Sequence, residues 1–160
     1  MELKSMYRDN IIFVAGTICS GKSYFASNLA DDLDFDFIEV SRLVGSILSS
    51  SERNDLQGHP ELLDQIIHAI GDIRTSTRKK GLVISGPRQW EILRAYPDSE
   101  CIWMDTPMDV CFERFQNRKD EKDGDLTQEA FDNYLRKDDE LGLQEVKQYI
   151  TLQNFKKDKV

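Results

Sequence analysis

Gly16-Thr17-Ile18-Cys19-Ser20-Gly21-Lys22-Ser23 has the spacing G-x-x-x-x-G-K-S. The apolar run Ile11-Ile12-Phe13-Val14-Ala15 before it reads as a buried strand. Tyr24-Phe25-Ala26-Ser27-Asn28-Leu29-Ala30 after it reads as a helix. Strand, loop and helix in that order give the pattern a mechanical meaning. Backbone N–H groups over Thr17–Lys22 can curl around a β-phosphate, and the helix that starts there adds its positive end. Gly16 and Gly21 supply backbone freedom and room, Lys22 can reach the β/γ oxygens, and the Ser23 hydroxyl can ligate Mg²⁺. ATP with Mg²⁺ is the expected ligand pair. Gly16, Thr17, Ile18, Cys19, Ser20, Gly21, Lys22 and Ser23 are its expected contacts, and Cys19 reads as a filler whose side chain turns away from phosphate.

Other strand-like runs follow at Phe35–Val40, Leu82–Ser85, Cys101–Asp105 and Tyr149–Leu152. Short apolar runs alternating with helices imply βαβ units and a mostly parallel sheet. Helices are expected at Ser23–Leu33, from Ser41 as N-cap, from Pro60 along the stripe Leu62, Leu63, Ile66, Ile67, Ile70, Ile73, from Pro107, and from Thr127. No repeat or low-complexity linker interrupts the 160 residues, so one domain is expected.

The net charge of −8 argues against a large DNA footprint, although bases cluster at Arg74–Lys80 and Arg114–Lys122. No apolar run approaches the ~20 residues of a membrane span. Residues 1–6 lack the apolar core of a secretory signal. Cys19, Cys101 and Cys111 read as reduced thiols rather than a disulfide framework, which suits the cytoplasm. His59 and His68 have no second ligand at metal spacing and are assigned no chemistry.

A phosphate loop does not by itself separate kinases, hydrolases and switches. The chain has no Asn-Lys-x-Asp guanine-reading element. Its third strand ends in Ser85, not in the Asp-Glu pair of AAA-type ATPases, which weighs against water activation. Val83-Ile84-Ser85-Gly86-Pro87-Arg88 instead resembles the third strand of nucleoside-monophosphate kinases, which reads apolar-apolar-Asp-Gly-aromatic-Pro-Arg. Ser85 stands where those enzymes keep an Asp on the Mg²⁺ water shell, and the aromatic residue is missing. The resemblance implies that Arg88 grips the acceptor's phosphate.

The segment Cys101–Arg118 extends this resemblance. Adenylate kinase-like and dephospho-coenzyme A kinases carry an Arg-x-x-x-Arg pair where this chain has Arg114 and Arg118. That implies a lid over about 114–136, with its tip at Lys119–Asp125 and Gly124 as a hinge, bringing both arginines onto the transferring phosphoryl. Arg136 is a further candidate for that clamp. The acceptor would bind an insert over about 41–80, with Arg42 and Arg53 as phosphate contacts. A hydroxyl acceptor needs a base, for which Glu39 and Asp36 are the candidates, whereas a phosphate acceptor needs none. Asn154 would pack against adenine after the fifth strand.

The resemblance implies a three-layer α/β sandwich with a five-stranded parallel sheet in the order 2-3-1-4-5 and a short lid. The expected activity is ATP- and Mg²⁺-dependent phosphoryl transfer to a nucleotide-type small molecule. The stretches Val40–Leu43, Ser51–Gln57 and Gly86–Arg88 are also similar to phage kinases of 5-hydroxymethyluracil in DNA, so modified DNA stays open as the acceptor. Because of Ser85, a non-catalytic nucleotide-binding regulator stays open as well.

Overall fold

The computed structural model describes residues 10–48, 61–118 and 126–158. In chain order the elements are β1 Ile11–Gly16, α1 Lys22–Leu33, β2 Asp36–Glu39, α2 Val40–Ile47, α3 Leu62–Ser76, β3 Leu82–Ser85, α4 Trp90–Arg94, β4 Glu100–Met104, α5 Met108–Gln116, α6 Gln128–Leu141 and α7 Leu143–Asp158. The four strands form a parallel sheet in the order β2-β3-β1-β4. Ile11 lies opposite Leu82, Glu39 opposite Ser85, and Gly16 opposite Met104. All four carboxyl ends therefore meet at one edge, where parallel sheets bind ligands.

Alternation along the strands builds a core on each face. Ile11, Phe13, Ala15, Leu82 and Ile84 pack with Leu62, Ile66 and Ile70 of α3, Ile92 and Leu93 of α4, and Leu143, Val146 and Ile150 of α7. Val14 and Val83 face the other way, onto Ala26 and Ala30 of α1. A third cluster joins Cys111 and Phe115 of α5 to Phe131 of α6, with Ile18 and Cys19 of the phosphate loop against it.

Three expectations need correction. Tyr149–Leu152 is not a fifth strand; it lies inside α7. Leu143, Val146 and Ile150 are buried at spacings of three and four, a helical stripe that a four-residue window hides. The sheet therefore has four strands among the described residues, and no fifth position follows β4. Ser41 is not an N-cap: β2 runs into α2 without a loop, Glu39 occupies the cap position, and no side chain bonds there.

Other expected boundaries hold. Pro107 precedes α5, and Thr127 caps α6, its hydroxyl accepting from the Ala130 N–H at 3.2 Å. The three cysteines are free. Among the described residues no helix is long and apolar enough to cross a membrane. Arg53, His59, Pro60 and the expected lid tip Lys119–Asp125 lie outside the described residues.

Candidate active site

The loop between β1 and α1 is a tight turn. The Ser20 N–H donates to the Thr17 carbonyl at 3.1 Å, and Cys19 and Gly21 take left-handed φ values of 60° and 91°. Gly21 is the residue before the first helical turn, whose leading N–H groups have no intrahelical acceptor. Two contacts hold the loop from outside. The Thr106 hydroxyl donates to the Ser20 carbonyl at 2.7 Å, and Arg114 Nη1 donates to the Cys19 carbonyl at 3.3 Å. Lys22 Nζ donates to the Thr17 carbonyl at 3.2 Å, across the loop it serves. The Ser23 and Ser85 hydroxyls lie 3.3 Å apart, joining the start of α1 to the end of β3.

A cleft of about 810 Å³ opens at this edge of the sheet. Lys22, Ser23, Ser85, Gly86 and Arg118 line its loop side. Glu39, Ser41, Val44, Leu63 and Ile66 line the far side, with Arg88 and Gln89 between them. Arg118 lies over the Phe115 ring, 5.5 Å from its centroid. Glu39, Arg88, Arg118, Lys22 and Ser23 thus converge on one cavity. Arg114 sits on the loop instead, and Arg42 is 83% exposed and paired with Glu39 at 3.8 Å.

Asp36 and Asn154 do not line the cleft either. Asp36 opens β2 at the amino edge, opposite Leu82, where the Thr77 hydroxyl donates to it and Lys79 is 4.0 Å away. Asp36 thus lies at the opposite edge of the sheet from the phosphate loop. Asn154 is exposed on α7. Three residues further on, Lys157 bonds Glu100 at 2.7 Å, and Glu100 begins β4 at the amino edge. The end of α7 therefore lies toward the amino edge of the sheet.

One site residue was not foreseen. Asp138 of α6 is 7% exposed, lines the cleft, and meets Arg88 Nε at 3.0 Å. Burial pushes its carboxyl above the usual range, and the charges of Arg88 and Lys22 pull it partly back. Burial likewise holds Lys22 below the usual amine range; Arg88 adds to the effect and Asp138 opposes it. Burial raises the Cys19 thiol against the opposing charges of Arg118 and Lys22, which fits a filler rather than a reactive thiolate. A sequence signal for Asp138 exists. Phe131, Leu135 and Asp138 share one helical stripe, so an acid stands where an otherwise polar helix turns its apolar face inward.

A family model described as an AAA domain matches residues 12–137. The chain belongs to the AAA-domain family. No curated protein matches it. Among solved structures, this AAA-domain chain is similar to shikimate kinase from Aquifex aeolicus vf5 at 21% identity and a TM-score of 0.53, covering 89% of this chain and 95% of that one. Shikimate kinase from Acinetobacter baumannii, in complex with shikimate, gives 17% and 0.56, over 89% and 83%. A gluconokinase from Sinorhizobium meliloti 1021 gives 22% and 0.53, over 80% and 74%. The fold is that of phosphate-loop kinases resembling the nucleoside-monophosphate kinases, as the sequence led us to expect. Within the AAA-domain family, β3 of this chain ends on Ser85 rather than on an acidic pair.

Proposed function

We propose that this chain is an ATP- and Mg²⁺-dependent kinase that transfers the γ-phosphoryl group to a nucleotide-type acceptor. The observation that carries this reading is the single cleft shared by Lys22, Ser23, Arg118 and Arg88. A hydrolase needs only the loop half, whereas transfer needs a second bay facing it. The bay beside Glu39, Val44, Leu63 and Ile66 supplies one, with polar and apolar walls. The fold is in keeping with this, since shikimate kinases and a gluconokinase are among the similar structures.

The residues present suit the ligands. The loop supplies a cation at Lys22 and a helix start at Gly21 for phosphate. The hydroxyls of Ser23 and Ser85, with the carboxylate of Asp138 in the same cleft, are the all-oxygen donor set that Mg²⁺ prefers. When bound, Mg²⁺ neutralises charge on the phosphate oxygens. Lys22 then holds the β/γ oxygens, Arg118 and Arg114 neutralise charge from the lid side, and Arg88 holds the acceptor. We keep Arg42 and Arg53 as candidate phosphate contacts for the acceptor, in a segment at about 41–80 of one kinase domain.

Glu39 favours a second reading, in which the acceptor is a hydroxyl. Of Glu39 and Asp36 it alone lines the bay, and it ends β2 directly opposite Ser85. It would take the acceptor's proton. A free sugar-like hydroxyl and the hydroxymethyl of a modified base in DNA share this requirement.

The test is transfer from γ-labelled ATP with Mg²⁺ to nucleoside monophosphates, dephospho-coenzyme A, plain DNA and 5-hydroxymethyluracil DNA in parallel. Label on a monophosphate is the expected result, and label on a hydroxyl acceptor alone would replace it with the second reading. No transfer to any acceptor while ATP stays bound would overturn the kinase and leave a nucleotide-binding regulator.

A further inference from the structure

We propose that Tyr134 is the stacking residue of the cleft, and that it selects an acceptor carrying a flat nucleobase over one built only on a saturated ring. The inference rests on the acceptor site proposed above. Tyr134 is the one aromatic side chain among the described residues that line the cleft. It stands on α6 one turn before Asp138, which lines the cleft too and meets the acceptor-side Arg88 at 3.0 Å. Residues four apart share a helix face, so the ring and the partner of Arg88 serve the same space. Arg136, two residues further on, does not line the cleft. Its side chain is 67% exposed, bonded to Asn133 at 2.8 Å and 3.9 Å from Glu140. From α6 the acceptor therefore meets a ring rather than a second guanidinium.

The ring is braced as well as exposed. It meets Phe115 in an edge-to-face arrangement, with centroids 5.9 Å apart and planes at 66°. Phe115 packs on Phe131 at 5.3 Å, and Phe131 on Phe112 at 5.3 Å. Tyr134 thus ends an aromatic row whose other members sit in the cluster between α5 and α6. Arg118 already lies over the Phe115 ring, whereas 37% of Tyr134 stays open. A tyrosine has only two χ angles to fix, so a braced ring stacks on a planar ligand at little entropic cost. The other apolar lining is aliphatic: Val44 of α2, Leu63 and Ile66 of α3, and Ile92 of α4. Aliphatic walls accept any apolar ring, and the aromatic plane adds a preference for a flat one. Every base has a π-face, so Tyr134 selects nucleobases as a class rather than one of them.

The experiment measures binding to the full chain by calorimetry with ADP saturating. The probes are ribo- and deoxyribonucleoside monophosphates, with ribose 5-phosphate and deoxyribose 5-phosphate as the same acceptors without a base. Wild type should bind at least one monophosphate about tenfold or more tighter than its abasic counterpart, the effect of one base–aromatic stack. Tyr134→Leu keeps apolar volume against Phe115 and should lower that preference about tenfold, while the abasic probes and ADP bind as before. Tyr134→Phe should keep the preference. A purely structural ring would, on removal, weaken every probe alike. That uniform weakening, a wild type without the preference, or a preference that Tyr134→Leu leaves unchanged would overturn the proposal while the acceptor site stands. So would a loss of ADP affinity in Tyr134→Leu that inorganic pyrophosphate does not share, because the ring would then stack on the donor's base. Wild type that binds neither kind of probe would overturn both this proposal and the nucleotide-type acceptor.

Discussion

Gly21 and Gly86 both have φ values in the left-handed region, 91° and 81°, yet only one of them touches an arginine. A Cβ on Gly21 would stand 3.1 Å from Arg114 Nη1, whereas the nearest atom to one on Gly86 is Lys22 Cε at 3.7 Å, an ordinary contact. Replacing either by alanine imposes the left-handed backbone on a residue with a Cβ, which costs about 1–2 kcal/mol. For a chain of this size that lowers Tm by about 2–8 °C. Gly21→Ala carries a second cost. Arg114 must move, and its bond to the Cys19 carbonyl at 3.3 Å weakens or breaks. A net hydrogen bond contributes about 0.5–1.5 kcal/mol, and this exposed one belongs at the low end. The larger effect falls on the ligand, because the Cys19 carbonyl is part of the turn whose amides would hold phosphate. We expect Gly21→Ala to lower ADP affinity at least about tenfold (1.4 kcal/mol), on top of a Tm loss like that of Gly86→Ala. In an Arg114→Ala background the stability gap between the two glycine variants closes, leaving the backbone cost common to both. Urea denaturation and calorimetric ADP titration read the two effects separately. Gly21→Ala no more costly than Gly86→Ala in both assays, or a gap that Arg114→Ala leaves unchanged, would refute the reasoning.

Lys22→Met should be more stable than wild type at pH 7. Burial and Arg88 hold the folded Lys22 below its ordinary value of 10.5, so between the two values the unfolded chain binds more protons and wild-type stability rises with pH. The penalty is full below that window and gone above it. The variant's advantage, of the ~0.5–2 kcal/mol size common when a functional constraint is removed, should shrink as pH climbs through that window, as read by denaturation at several pH values. Ile150→Ala should cost about 2–5 kcal/mol, because Ile150 is 1% exposed. Leu152→Ala should stay within about 0.5 kcal/mol, because Leu152 is 50% exposed. A strand would turn both residues to one face, so equal costs would restore it. Asp36→Asn should leave transfer unchanged. With a hydroxyl acceptor, Glu39→Gln should lower kcat by about 10²–10⁴ without changing ATP affinity, as steady-state kinetics would report.

The phosphate loop was legible because its chemistry demands fixed spacing: two glycines, Lys22 and Ser23 must stand where they do whatever surrounds them. Arg88 and Arg118 were legible as places in the chain, since each follows the carboxyl end of a strand or the helix behind it. The expected contacts of Asp36 and Asn154 failed for a shared reason. Nearness to a strand in sequence does not say which end of the strand a residue occupies, and both lie toward the amino edge. Tyr149–Leu152 misled because β-branched residues in a short window resemble a strand, while the stripe that makes it helical begins at Leu143. Asp138 was hidden among its acidic neighbours on α6, and only its place on the Phe131–Leu135 stripe distinguishes it.

The family name and the cleft make different claims about where the γ-phosphoryl goes, and the fate of the label decides between them. γ-Labelled ATP and Mg²⁺ would be given to the protein with and without a pool of small phosphorylated and hydroxylated metabolites, and the label partitioned between inorganic phosphate and organic product. The account predicts slow release of inorganic phosphate alone and rapid, Lys22-dependent labelling of an organic acceptor when the pool is added. Label that ends wholly as inorganic phosphate, at a rate the pool does not change, would contradict it and make the chain a hydrolase.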